Sequence, residues 1–202
     1  MSTCIHIIAC AVFKDALAYL AEWIDQRPFT VTFLPAHLHL NPRALKKNLL
    51  NTIGQVKMER TCMGCLYGQC FPDIDTCLAS AQALRIPCGY CYEVFLGHQR
   101  YNRIMTEQPG TFFVEKELLL DFDNLCRSPL ELDDPDMRKM YFTHYQQIIY
   151  IRQPLDPDLS QQANSVSNLL NLQLKTVDAD YTELKQFLIK LYRYGCGNTQ
   201  KS

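Results

Sequence analysis

Short apolar runs alternating with amphipathic stretches constrain this chain more than any other feature. Near the N-terminus, "IHIIACAV" is apolar at almost every position, the pattern of a strand buried on both faces. "KDALAYLAEWI" follows with Ala16, Leu17, Leu20, Ala21 and Ile24 at helical spacing. "FTVTFL" is the second strand, and after "PAHLHLN" the pair Asn41–Pro42 supplies a cap and a first-turn residue for the helix "PRALKKNLLNTI". "TCMGCLY" is a third strand that turns at Gly68 and leads to a helix near "PDIDTCLASAQAL".

Further along, "RIP" reads as a very short strand, "GYCYEVFLG" as a helical turn or two, and "GTFFVEK" as a strand. "QIIYIRQ" and "LQLKTVD" are two more strands, separated by the helix "DPDLSQQANSVSNLLN" and followed by "DYTELKQFLIKLY". Strand and helix in alternation specify an α/β, Rossmann-like fold, with a mostly parallel sheet and helices on both faces. The reading is of a single α/β domain over 1–202. The irregular stretch 117–146 is the place for a boundary between two lobes, if there are two.

Formal net charge is −1, from 20 basic and 21 acidic residues, and no basic stretch is interleaved with aromatics. Nucleic-acid binding therefore has no support. The apolar N-terminus has no positively charged leader region and breaks at Lys14 and Asp15. No apolar run reaches the roughly 18 residues that a membrane span needs, so the expectation is a cytoplasmic protein with no membrane partner.

In a reducing compartment the ten cysteines are expected as thiols, metal ligands or reactive groups rather than structural disulfides. Loops leaving the carboxyl ends of parallel strands gather along one edge, where ligands bind. Along that edge the chain offers Cys10 after the first strand, His37 and His39 after the second, and Cys70 after the third. Cys88 and Cys91 follow the fourth strand, and Glu115 the fifth.

The pairs Cys62-x2-Cys65 and Cys88-x2-Cys91 imitate a zinc ribbon, but residues three apart on a strand point to opposite faces. Cys62 and Cys65 therefore cannot share a metal, and Cys65 reads as core filling. Cys70 stands before Phe71-Pro72-Asp73, read as a helix start whose dipole favours a thiolate. Thiolates of Cys10, Cys70 and Cys91, from three loops, suit a soft metal or most of an iron–sulfur cluster. His39 is either a ligand or proton shuttle, or simply a solvated loop residue. Glu93 reads as a surface carboxylate.

The stretches "IIACAVFKDAL", "HLHLNPRAL", "LYGQCFPDID", "CYEVFLGHQRYNRI", "PGTFFVEKEL" and "YQQIIYIRQPL" resemble, in sequence and order, a bacterial and archaeal family. That family is catalogued as domain of unknown function sixteen thirty-eight, and its members often occur near corrinoid-dependent methyltransferase genes. The resemblance runs over about residues 5–190. It implies Cys10, Cys70 and Cys91 as the shared thiols, with His39 and Gly68 beside them as cofactor-binding positions. Cys62, Cys65, Cys77, Cys88 and Cys126 fall outside that pattern.

The functional expectation is a metal-centre-binding protein of anaerobic one-carbon and corrinoid metabolism. An iron–sulfur cluster is its favoured cofactor and zinc the alternative. Two other readings are a partner protein that binds a corrinoid protein or methyltransferase component without its own catalysis, and a zinc-thiolate methyltransferase.

Overall fold

The computed structural model describes residues 4–57 and 62–197, and the strands among them form two all-parallel sheets. The first element is β1 (Ile5–Cys10), followed by a 3-10 turn (Ala11–Phe13) and two short helices, α1 (Lys14–Tyr19) and α2 (Ala21–Asp25). Next come β2 (Phe29–Leu34), a 3-10 turn (Ala36–Leu40) and α3 (Pro42–Lys57). Asn41 Oδ1 accepts from Ala44 N at 3.0 Å, so the cap read from Asn41–Pro42 is in place. The segment continues with β3 (Cys62–Leu66), α4 (Ile74–Ser80), β4 (Ala83–Arg85) and α5 (Cys91–Leu96).

Then follow α6 (His98–Glu107), β5 (Thr111–Val114), α7 (Lys116–Leu120), a π turn (Asp123–Arg127) and α8 (Pro135–Phe142). The last described elements are β6 (Gln147–Arg152), α9 (Ser160–Leu170), β7 (Gln173–Asp178) and α10 (Thr182–Gly197).

Two compact units result. One holds the chain up to Val94 together with everything from Tyr181 onward, and the other runs from Phe95 to Asp180. The stretch 117–146, where the sequence offered a boundary, lies inside the second unit. Periodicity marks each strand but not its neighbours, so it could not reveal that β5, β6 and β7 form a sheet of their own. The helix expected over "KDALAYLAEWI" is likewise divided at Leu20, whose ψ of 8° takes it out of the helix.

The first unit orders its strands β2-β1-β3-β4. The chain steps outward from β1 to β2, then returns past β1 to β3 and β4. Right-handed crossovers consequently place α3 and α4 on the sheet face opposite α1 and α2. The helix α10 shares the α1–α2 face: Phe29 meets Trp23 and Tyr192 with ring centroids 5.9 and 6.3 Å apart, and Tyr19 meets Tyr181 at 5.6 Å. Gly64 lies under α10, where an added Cβ would meet the end of the Leu191 side chain. Ile5, Ile7, Ile8, Ala9, Leu66, Leu45 and Leu49 fill the interior.

The second unit orders its strands β5-β6-β7. Its core joins Val114, Ile148 and Tyr150 of the sheet to Ala163, Val166 and Leu170 of α9, with Leu119, Phe122 and Leu132 closing it. Among the described residues no helix is long and apolar enough to cross a membrane.

Candidate functional site

In the order β2-β1-β3-β4 the direction of winding reverses between β1 and β3, and open α/β sheets bind ligands outside the carboxyl ends of such a pair. Cys10 is the last residue of β1, and the stretch Tyr67-Gly68-Gln69-Cys70 leaves β3. Two of the sequence-predicted thiols thus come from the two strands that flank the switch point.

Strand register decides which side chains gather there. Ile8 pairs with Cys65 and Ala9 with Leu66, so Cys10 and Tyr67 come one step further on, side by side. Cys65 pairs in turn with Arg85 of β4. Alternation places Cys10, Cys65, Tyr67 and Arg85 on one face, opposite α10. Cys62 lies on the other face, where its Cβ would be 3.4 Å from a Cβ built on Gly195 of α10. The local pair Cys62-x2-Cys65 is split by the pleat, as its strand setting requires.

Cys91 reaches the site because two loops are held together. A Cβ at Gly68 would stand 2.7 Å from Gly89 O and 3.1 Å from Tyr90 Cα, so only glycine lets the two backbones meet. Gln69 N donates to Gly89 O at 2.7 Å across this contact. Gly89 N donates to Glu93 Oε2 at 2.7 Å and fixes the entry into α5, whose first residue is Cys91. Glu93 is therefore buried rather than a surface carboxylate.

Arg85 ties the same loops from below. Its guanidinium donates to Tyr67 O at 3.0 Å and Cys88 O at 2.8 Å, to the Asp75 carboxylate of α4 at 2.6 and 3.0 Å, and to Gln69 Oε1 at 3.4 Å. Cys88 is buried and its Sγ donates to Tyr67 O at 3.7 Å, which makes it part of the scaffold.

Cys91 lies within the electrostatic reach of both Cys10 and Cys70. Cys10 is buried, Cys70 and Cys91 partly so. Burial pushes the Cys91 thiol well above its ordinary range, and the charges of Cys10 and Cys70 push it further, while a main-chain hydrogen bond from Gly68 opposes the rise. Cys70 is raised by burial against the same Gly68 hydrogen bond and the Arg85 charge. Cys88 is pushed up to about 12, chiefly by burial. The helix dipole expected at Cys70 is not what favours its thiolate: α4 begins at Ile74, with Asp73 in the cap position. The main chain of Gly68 takes that part.

At the centre is a residue the sequence reading missed as a chemical group. Tyr67 is 1% exposed, and its hydroxyl is buried with no hydrogen-bond partner. After burial itself, the charges of Cys10, Cys65, Cys70 and Cys91 are what most strongly oppose its ionisation, so it remains a neutral phenol. A signal for Arg85 was present, since a charged residue inside a short apolar strand must find partners.

His39 lies exposed in the 3-10 turn after β2, and its Nδ1 donates to Ala36 O of that turn at 2.7 Å. Glu115 follows β5 and so belongs to the second sheet. There its carboxylate accepts from Glu117 N at 2.8 Å and Leu118 N at 3.0 Å, capping α7. As the residues stand, no group of three or more His, Cys, Asp or Glu among the described residues is placed to hold a metal ion.

Fold and site together define an α/β protein with a thiol cluster at the switch point of a parallel sheet. The chain belongs to the family described as "Protein of unknown function (DUF1638)", which matches residues 33–188. That span includes His39, Gly68, Cys70 and Cys91, and begins after Cys10. No curated protein and no solved structure matched the chain.

Proposed function

We propose that Cys10, Cys70 and Cys91 hold a metal centre at the carboxyl edge of the first sheet, an iron–sulfur cluster in preference to zinc. One observation carries this reading: Cys10 and Tyr67 come side by side at the ends of β1 and β3, the Gly68–Gly89 contact holds the loop of Cys70 against the loop that leads to Cys91, and the Tyr67 hydroxyl is buried without a partner. Leaving a buried hydroxyl unsatisfied costs about 1–3 kcal/mol, and an evolved core rarely keeps one without use. Thiols held up by burial and by each other's charge are also the groups that a soft cation stabilises as thiolates.

Thiolate ligands alone suit an iron–sulfur cluster, for which cysteine is the characteristic protein ligand. With three cysteines as ligands the cluster would keep one open position, able to bind a small substrate or to serve in electron transfer. The Gly68 main chain and Arg85 would hold the ligand loops and stabilise their negative charge. In the one-carbon and corrinoid setting that the family resemblance implies, such a centre would serve a methyltransferase system.

Protein purified without oxygen should contain iron and acid-labile sulfide in cluster proportion. Cys70→Ala and Cys91→Ala should each remove most of it, and Cys65→Ala should retain it. A folded protein that carries no metal under those conditions sinks the proposal, as does a Cys65→Ala variant that alone empties the site.

A further inference from the structure

The second unit carries a groove of its own. Arg100, Arg103, Ile104 and Glu107 stand at i, i+3, i+4 and i+7 on α6 and form one stripe of that helix. Gln173, Lys175 and Val177 alternate along β7 and share one face of that strand. Arg100 Nη1 donates to Asp178 O at 2.9 Å, which pins the start of α6 to the end of β7. At the other end of the helix, Thr111 Oγ1 donates to Gln108 O at 2.6 Å, where the sheet begins. Helix and edge strand thus run in opposite directions along the two sides of a groove of about 720 Å³, with Ile104, Ile149 and Val177 as its apolar lining.

Charge in this groove is unbalanced. Arg100, Arg103 and Lys175 line it against one carboxylate, Glu107. Arg100 is engaged by Asp178 O and by the Asp180 carboxylate at 4.0 Å, and Asp178 Oδ1 in turn accepts from Arg152. Arg103 on the helix and Lys175 on the strand are both exposed, and among the described residues their side chains make no hydrogen bond and no ion pair, with Glu107 or with any other carboxylate. Two cations therefore face each other across an apolar lining with no anion between them.

We propose that the groove binds a small organic phosphate, with the phosphate group held between Arg103 and Lys175 and the organic body laid along Ile104, Ile149 and Val177. A phosphate monoester dianion matches two unpaired cations; the arginine fork grips two of its oxygens and the lysine serves as a point charge. Toward the start of the sheet the lining changes to the Glu107 carboxylate and the amides of Gln108, Gln146 and Gln173. These supply both acceptors and donors, which suits a flat heterocycle with N–H groups and ring nitrogens on its edge. The volume falls within the roughly 300–1,000 Å³ of small-molecule sites. This binding does not depend on a metal centre.

Calorimetric titration of the full chain with adenosine 5′-monophosphate (AMP) at low ionic strength tests the inference, with adenosine and inorganic phosphate as the two half-ligands. AMP should bind at millimolar concentration or below, and more tightly than either half. Arg103→Gln and Lys175→Gln should each weaken AMP by about three- to tenfold, between the worth of an exposed ion pair and that of a hydrogen bond to a charged acceptor. Lys190→Gln, which removes the same charge from an exposed position on α10, should leave AMP binding as it is. Thermal melting of the three variants checks that each is folded. Absence of AMP binding to the wild type at millimolar concentration overturns the inference. So do Arg103→Gln and Lys175→Gln variants that bind as the wild type does, an equal loss in Lys190→Gln, and inorganic phosphate or adenosine bound as tightly as AMP.

Discussion

Gly68→Ala is the sharpest perturbation of the site, because the structure assigns this glycine one task. A methyl group there would lie 2.7 Å from Gly89 O and 3.1 Å from Tyr90 Cα, and both obstacles are backbone, which cannot rotate aside. The loops must part. That separation breaks the 2.7 Å hydrogen bond from Gln69 N to Gly89 O, worth about 1 kcal/mol. Overpacking at a fixed backbone adds about 1–2 kcal/mol.

A total of about 2–3 kcal/mol lowers the melting temperature of a chain this size by roughly 4–12 °C. The same movement carries Cys91 away from Cys70, so Cd2+ affinity of the metal-free protein should fall by more than tenfold. Gly54 in the last turn of α3 provides the control, since a Cβ there meets nothing within 4 Å. Gly54→Ala should gain about 0.5–1 kcal/mol and leave Cd2+ binding intact. Calorimetry and cadmium absorbance read both variants. If Gly68→Ala melts and binds as the wild type does, the backbone clasp is not what assembles the site.

Arg85→Met removes hydrogen bonds to two carbonyls and the Gln69 side chain; a loss of about 2 kcal/mol in urea unfolding is expected, with little contributed by the 63% exposed Asp75 side of its ion pair. An unchanged unfolding midpoint would refute the clamp. Glu115 predicts a pH dependence in the second unit. Its carboxyl titrates at 4.5 when unfolded and is pushed up to about 7 when folded, chiefly by burial. Below pH 4.5 both states hold the proton. As the pH rises toward 7 the unfolded chain releases it first, so stability falls, by about 3 kcal/mol overall. Glu115→Gln should flatten that slope between pH 5 and 8 in urea unfolding; an identical slope in the variant would refute the assignment.

Much of the fold is written in short-range pattern. The apolar run 5–10, the Asn41–Pro42 cap and the β-region spacing of Cys62 and Cys65 depend on neighbours two to four residues away, and each appears in the structure where the sequence puts it. Gly68 was visible as a turn, but its requirement comes from Gly89 and Tyr90, twenty-one and twenty-two residues on. Glu93 looked like a surface carboxylate because nothing near it in sequence says that Gly89 N needs an acceptor.

The sequence by itself determined that strands and helices alternate and that Cys62 and Cys65 face opposite ways, while it set the fourth strand at "RIP" where the structure has Ala83–Arg85. Backbone sterics and side-chain alternation act over a few residues and leave their mark there. The tertiary structure alone decided the order β2-β1-β3-β4, the division into two sheets, and the meeting of Cys10, Tyr67, Cys70 and Cys91 at one switch point. Strand order follows from burying apolar faces against partners far along the chain. No local spacing encodes that choice, so a site built across it becomes legible only once the sheet is assembled.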